Sequence, residues 1–251
     1  MISTKHFIII MKLISAKICA ICGKQPMLNS IKLYLIALSV TIGSLNTFSQ
    51  SENPYLNLSQ DYTNVITERS AKILNTLDIQ DSLKYKRVQA ILIDQCRNLS
   101  ATHDFEDALI MHQNELDNPD KDKRIQAIKD SANAALHILH AHFLASLASE
   151  LEVSQIEKVK DGMTYDVFHH TYNGYLDMLP ELTKDQQRFI YACLYEAREL
   201  AMDEGSSKAK HAMFGKYKGR INNYLSAQGY DLAKRSKEWE KRLKQEDQNK
   251  E

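Results

Sequence analysis

GSSKAKHAMFGKYKGRINNYLSAQGYD, residues Gly205–Asp231, holds the densest mixture of basic, aromatic and small residues in the chain. Ser206 or Ser207 suits an N-cap and Gly229 a terminator, so the spacing predicts a helix reaching Gln228. At 3.6 residues per turn, Phe214, Tyr217, Ile221, Tyr224 and Leu225 fall on one side, which reads as core. Gly215, Gly219, Asn222 and Ser226 form a separate stripe of small residues. An interior glycine costs roughly 1 kcal/mol of helix stability relative to alanine, so two of them one turn apart predict a close approach to the backbone. Lys216, Arg220 and Asn223 lie beside that stripe. Lys208 and His211 lie near its N-terminal end, where the helix dipole favours anions. Two readings stay open. Either the glycines admit a neighbouring helix whose acids pair with the cations, or the stripe forms a groove for a polar or anionic ligand such as an acidic sugar. GKYKG is not a phosphate loop, because it lacks the GK[ST] ending and follows no strand.

Outward from this segment the pattern is helix after helix, with no sustained period-two apolar run. After position 49 the prolines are Pro54, Pro119 and Pro180, each at a plausible helix boundary. The spacing predicts helices at about Asp61–Leu77, Ser82–Leu116, Lys121–Glu150, Ser154–Asp161, Asp166–Met178, Lys184–Glu204 and Leu232–Gln245 beside the segment above. The two long members predict an antiparallel hairpin. The expected fold is all-α: a single bundle of about seven to eight helices over 61–245, preceded by a linker at 50–60 and followed by a disordered tail at 246–251.

The N-terminal 49 residues read as a leader. LYLIALSVTI (Leu33–Ile42) is an apolar run behind Lys32, too short to span a membrane. Thr47-Phe48-Ser49 places small residues for signal-peptidase cleavage after Ser49. Met27 is a plausible true start. Lys and Arg together number 32, as do Asp and Glu. The leader holds five of the lysines and no acid, so the mature chain carries a net negative charge, which argues against nucleic acid as its main partner. The expected location is periplasmic or secreted, without stable membrane insertion. There Cys96 and Cys193 are free to exist as buried thiols or as a disulfide.

Glu196, Glu199 and Asp203 form an acidic stripe at i, i+3 and i+7. It can supply glycosidase carboxylates, but pairing with Lys216 and Arg220 is the simpler reading. Tyr172 belongs to an aromatic cluster with Tyr165, Phe168, His169, His170 and Tyr175, able to stack on sugars or to fill a core. His137, His140 and His142 do not converge as metal ligands, and His103 with Asp107 suits an ion pair or cap. No nucleophile motif is present. The expectation is no catalytic residue, metal or cofactor, and an oligosaccharide as ligand.

LEVSQ (151–155) and LTKDQ (182–186) share a helix-start pattern, with LDIQD (77–81) a looser copy. They resemble the LTxxQ motif of Spy-type periplasmic helical chaperones. KVKDGMTYDV (158–167), LPELTKDQ (179–186), EARELAMDEGSSKAKHAMFGKYKGRINNYLSAQGYD (196–231) and DYTNVITERSAKIL (61–74) carry a broader resemblance. It is to a domain-of-unknown-function family of secreted all-helical proteins found near glycan-utilisation genes of Gram-negative bacteria. Met213 stands where that family pattern has Trp. The resemblance implies export and a carbohydrate-binding or accessory role in glycan breakdown. A Spy-like chaperone and a glycan-active enzyme are the alternatives. The ligand-binding candidates are Lys208, His211, Lys216, Arg220, Asn223, Tyr224, Tyr172, Glu196, Glu199 and Asp203.

Overall fold

A computed structural model describes residues 60–248. The leader, its cleavage point and the linker up to 59 lie outside the described residues. Among the described residues there are eight helices and no strand. They are α1 (Gln60–Leu74), α2 (Ser82–Glu115), α3 (Lys121–Ala148), α4 (Val153–Met163), α5 (Val167–Met178), α6 (Lys184–Met202), α7 (Ser207–Ala227) and α8 (Leu232–Gln248). The all-α fold is therefore as expected. α8 continues three residues past the anticipated end, and α1 stops three residues before its own.

Side chains fix most helix starts. At α6 the Thr183 hydroxyl accepts from Gln186 N at 3.3 Å while Gln186 Oε1 accepts from Thr183 N at 2.9 Å, a reciprocal capping box. At α4, Gln155 Oε1 accepts from Glu152 N in the same way. The looser third copy departs from this grammar, since Asp81 Oδ1 caps α2 through Leu83 N and Lys84 N. Ser206 Oγ caps α7 through Ala209 N at 3.1 Å, and Gly229 leaves that helix with φ +91°.

The chain divides into two compact units. In one, the described part is Phe105–Ala134, the far ends of α2 and α3 and their connection. There Asn118 Oδ1 accepts from Asp120 N in the turn, and Ile128 is buried. The described part of the other unit is residues 60–104 and 135–248. It has two apolar clusters. Leu74, Val88, Leu92, Phe143, Leu147, Val159 and Met202 form one, drawn from α1 to α4 and the end of α6. Within it Arg87 Nε meets Glu150 Oε1 at 2.7 Å, setting the start of α2 against the end of α3, antiparallel as expected. Phe168, Tyr175, Ile190, Leu194, Phe214, Ile221 and Leu225 are prominent in the second, where α6 packs between α5 and α7.

Of the two states left open for Cys96 and Cys193, the structure shows free thiols. One expectation is revised. The glycine stripe of α7 admits no neighbour: nothing lies within 4 Å of where a Cβ would stand at Gly215 or Gly219. The close approaches occur at other glycines. A Cβ at Gly162 would stand 2.8 Å from Ile73 Cγ1, and one at Gly205 would stand 2.8 Å from His103 Cδ2. Among the described residues no helix is long and apolar enough to cross a membrane.

Candidate functional site

Helix α6 buries Ile190, Cys193, Leu194, Ala197, Arg198 and Ala201. Its opposite side carries Arg188, Tyr191, Ala192, Tyr195 and Glu196, all exposed. Tyr191 and Tyr195 sit one turn apart with ring centroids at 6.3 Å and planes 19° from parallel. On the α5 side, Tyr172 meets Tyr191 edge-on at 5.5 Å. On the α7 side, Tyr224 stacks on Phe189 at 4.0 Å, and the Arg220 guanidinium lies 5.8 Å from the Phe189 ring. Aromatic rings thus border this face from both flanks, with the small Ala192 between them.

The face is braced from beneath by a charge placed where the helix period calls for an apolar side chain. The Arg198 side chain is 2% exposed. Its guanidinium carbon lies 5.0 Å from the Tyr195 ring and 5.1 Å from the Phe168 ring. Glu157 and Asp161 of α4 accept from its two terminal nitrogens. Burial works against the guanidinium charge, but these two carboxylates outweigh it and raise its pKa. Lys160 stands alongside, donating to Glu199 Oε2 at 2.9 Å and lying 5.9 Å from the Tyr195 ring. Burial opposes its charge as well, and Glu199 more than offsets that. Cation–π contacts with a buried cation contribute on the order of 2 kcal/mol, and here two cations lie over the Tyr195 ring.

The network continues to His140 of α3. Its Nδ1 lies 2.9 Å from Asp203 Oδ2, and its Nε2 lies 3.7 Å from Glu199 Oε2. The Nδ1 contact is close but misaligned, so Nδ1 is buried without a hydrogen bond, and the other carboxylate oxygen, Asp203 Oδ1, is likewise buried and unsatisfied. Asp203 pushes the imidazole pKa up, with burial opposing. At the end of α6, Lys210 Nζ donates to the carbonyls of Ala201 and Met202, at 2.9 Å each. Burial pulls its pKa down to about 8.

The ten predicted residues therefore divide into three groups and one residue apart. Tyr172, Glu196, Arg220 and Tyr224 border the outer face of α6, with Glu196 Oε2 and Arg220 Nη1 paired at 3.4 Å. Glu199 and Asp203 turn away from α7 toward Lys160 and His140. The expected pairing of the acidic stripe with α7 is thus made by Glu196 alone of its members. Lys208, Lys216 and Asn223 are exposed to solvent. His211 stands by itself, stacked on Tyr165 at 5.4 Å with its Nδ1 2.8 Å from Ser207 O. Tyr191, Tyr195, Arg198 and Lys160 were not among the predictions. Arg198 had a readable signal: it shares the helix face of Leu194 and Ala201.

This chemistry suits binding by stacking and hydrogen bonding. The glycosidase arrangement needs one carboxyl group protonated and another free to attack or activate water. Here Glu196 faces Arg220, Glu199 faces Lys160 and Asp203 faces His140. Asp161, Asp166 and His169 bring ligand atoms within 4.8 Å of one another, but Arg198 shares the Asp161 carboxylate and its charge opposes a cation there.

The family model described as "Protein of unknown function (DUF3826)" matches residues 63–245. The chain belongs to that family. The DUF3826 match takes in α2 to α7 whole, and with them every residue of the aromatic face. No curated protein matches the chain.

Proposed function

We propose that this protein is an exported, non-enzymatic carbohydrate-binding protein that serves glycan breakdown, and that it holds an acidic oligosaccharide on the outer face of α6. The observation that carries the reading is the exposed pair Tyr191 and Tyr195, parallel and one turn apart, with Tyr195 held from below by Arg198. A sugar ring presents C–H groups on its face and hydroxyls on its rim. An exposed tyrosine offers the matching apolar surface and a polar tip. Arg220 and Arg188 lie on either side, each in an exposed ion pair. Such pairs are worth about 0–1 kcal/mol, so a uronate carboxylate can replace Glu196 or Asp185 at little cost. A chaperone surface for unfolded chains calls for exposed aliphatic side chains, and the large apolar groups exposed on this face are tyrosines.

The test is a thermal-shift screen against pectic, other acidic and neutral oligosaccharides, repeated with a Tyr191→Ala/Tyr195→Ala variant and with Arg220→Ala. A ligand at 100 times its Kd adds about 2.7 kcal/mol of stability. The expected result is a shift with an acidic oligosaccharide that the tyrosine variant abolishes and Arg220→Ala weakens. A screen without shifts, or a shift that survives loss of both rings, overturns the reading.

A further inference from the structure

A pocket of about 430 Å³ opens where the α5–α6 connection, the α7–α8 turn and the first turns of α8 meet. Gln186 lines it and is only 8% exposed. Its Oε1 is fully used, accepting from Thr183 N at 2.9 Å and from Tyr230 Oη at 3.0 Å. Its Nε2 has no partner among the described residues and remains as a donor fixed in place by two hydrogen bonds on the same amide. Gly229, in the left-handed region that the turn requires, leaves the adjoining wall open, since nothing stands within 4 Å of where its Cβ would be.

We propose that this pocket binds a neutral polyhydroxylated molecule of about one sugar ring. The two cations in the wall, Lys234 and Arg235, are outnumbered by three carboxylates, of which Asp231 caps α8 by accepting from Lys234 N at 3.0 Å. Arg235 is held by the carboxylates of Glu181 and Glu238, and Lys234 Nζ lies 4.0 Å from Glu238 Oε1. No uncompensated cation is left to select an anion. What remains free is a mixture: the Gln186 donor, the Gln228 amide with one donor and one acceptor end, and the Tyr230 phenol oxygen as acceptor. Each vicinal hydroxyl of a polyol both donates and accepts, so it satisfies such a mixture where an ion or an apolar group does not. The volume falls within the usual range for small-molecule sites, roughly 300–1,000 Å³. This inference does not rest on the tyrosine face, which lies on the opposite side of α6 from Gln186.

The experiment is an NMR titration of the ¹⁵N-labelled protein with D-galactose, L-arabinose and D-galacturonate. The backbone amides of Gly229 and Tyr230 and the Gln186 side-chain amide are expected to shift saturably with a neutral sugar, at a Kd on the order of 1 mM. The Gln228→Ala/Lys234→Ala variant removes two exposed side chains and should weaken that binding about tenfold by losing hydrogen bonds to the ligand. The Tyr191→Ala/Tyr195→Ala variant should leave these shifts intact, which separates this site from the aromatic face. The proposal is overturned if the three resonances do not move, or if they move equally in the pocket variant. Loss of the response in the tyrosine variant, or saturation by galacturonate at lower concentration than by galactose, also overturns it.

Discussion

Arg198 Nη1 and Asp161 Oδ1 meet at 2.5 Å, joining the closing turns of α6 to the last turn of α4 beneath the Tyr195 ring. Removing one partner of such a pair leaves the other charge buried, at a cost of about 3–5 kcal/mol. Arg198→Met should fall near the lower end, about 3 kcal/mol, because the Glu157 side chain is 37% exposed and can turn to water. Urea denaturation measures it. Adding Asp161→Asn should recover part of the loss, and a single variant as stable as the wild type contradicts the account.

The glycines within α7 behave oppositely to Gly162, near the end of α4, and Gly205, just before α7. Gly215→Ala and Gly219→Ala place a methyl in open space within a helix, so each should stabilise the protein by up to about 1 kcal/mol. Gly162→Ala drives a methyl against Ile73 and Gly205→Ala drives one against His103, so each should destabilise by about 1–3 kcal/mol. Thermal melts of the four variants decide the matter by sign alone.

His140 should make stability depend on pH. Contact with Asp203 raises its pKa above the ordinary imidazole value, with burial opposing; Glu199 also favours the charged ring and Lys160 opposes it. A group whose pKa is raised on folding contributes in full below its unfolded pKa, about 6.5, and loses that contribution as pH rises through the folded value. The stability gap between wild type and His140→Gln should therefore be largest near about pH 5 and shrink in alkali. A gap that widens with pH sinks this assignment.

Burial pushes the thiol pKa of Cys96 and of Cys193 up, which keeps both as weak nucleophiles. In the native protein both should resist alkylation, and both should label once the chain is denatured. Peptide mapping by mass spectrometry checks this, and a Cys96–Cys193 cross-linked peptide would overturn it.

The helices were legible because their ends carry local chemistry. The capping boxes at Glu152–Gln155 and Thr183–Gln186, Pro119, Pro180 and Gly229 act within one turn of their own position. The polar centre was not legible, because its partners lie far apart in the chain. His140 meets residues 199 and 203, and Arg198 meets residues 157 and 161. Periodicity set Arg198 on the apolar side of α6 but said nothing of the acids waiting there. The α7 glycines misled for a different reason. A glycine marks a place where a side chain can be absent, and packing alone decides whether a neighbour takes up the space. The tyrosines of α6 carry no such signal, because Tyr191 and Tyr195 fall between its apolar and acidic stripes, and the neighbour that Tyr191 meets on α5 is set by tertiary structure.

Lys210 ties the first turn of α7 to the last carbonyls of α6. The helix that carries the aromatic face and the helix on its Arg220 flank are thus joined before any ligand arrives, and on the function proposed above a sugar reaching from Tyr195 to Arg220 would meet two helices already tied to each other. The ordering entropy that a hinged pair gives up on binding is largely absent here. Association should be fast and similar for related oligosaccharides, so that discrimination among them is expressed in residence time, as dissociation rates.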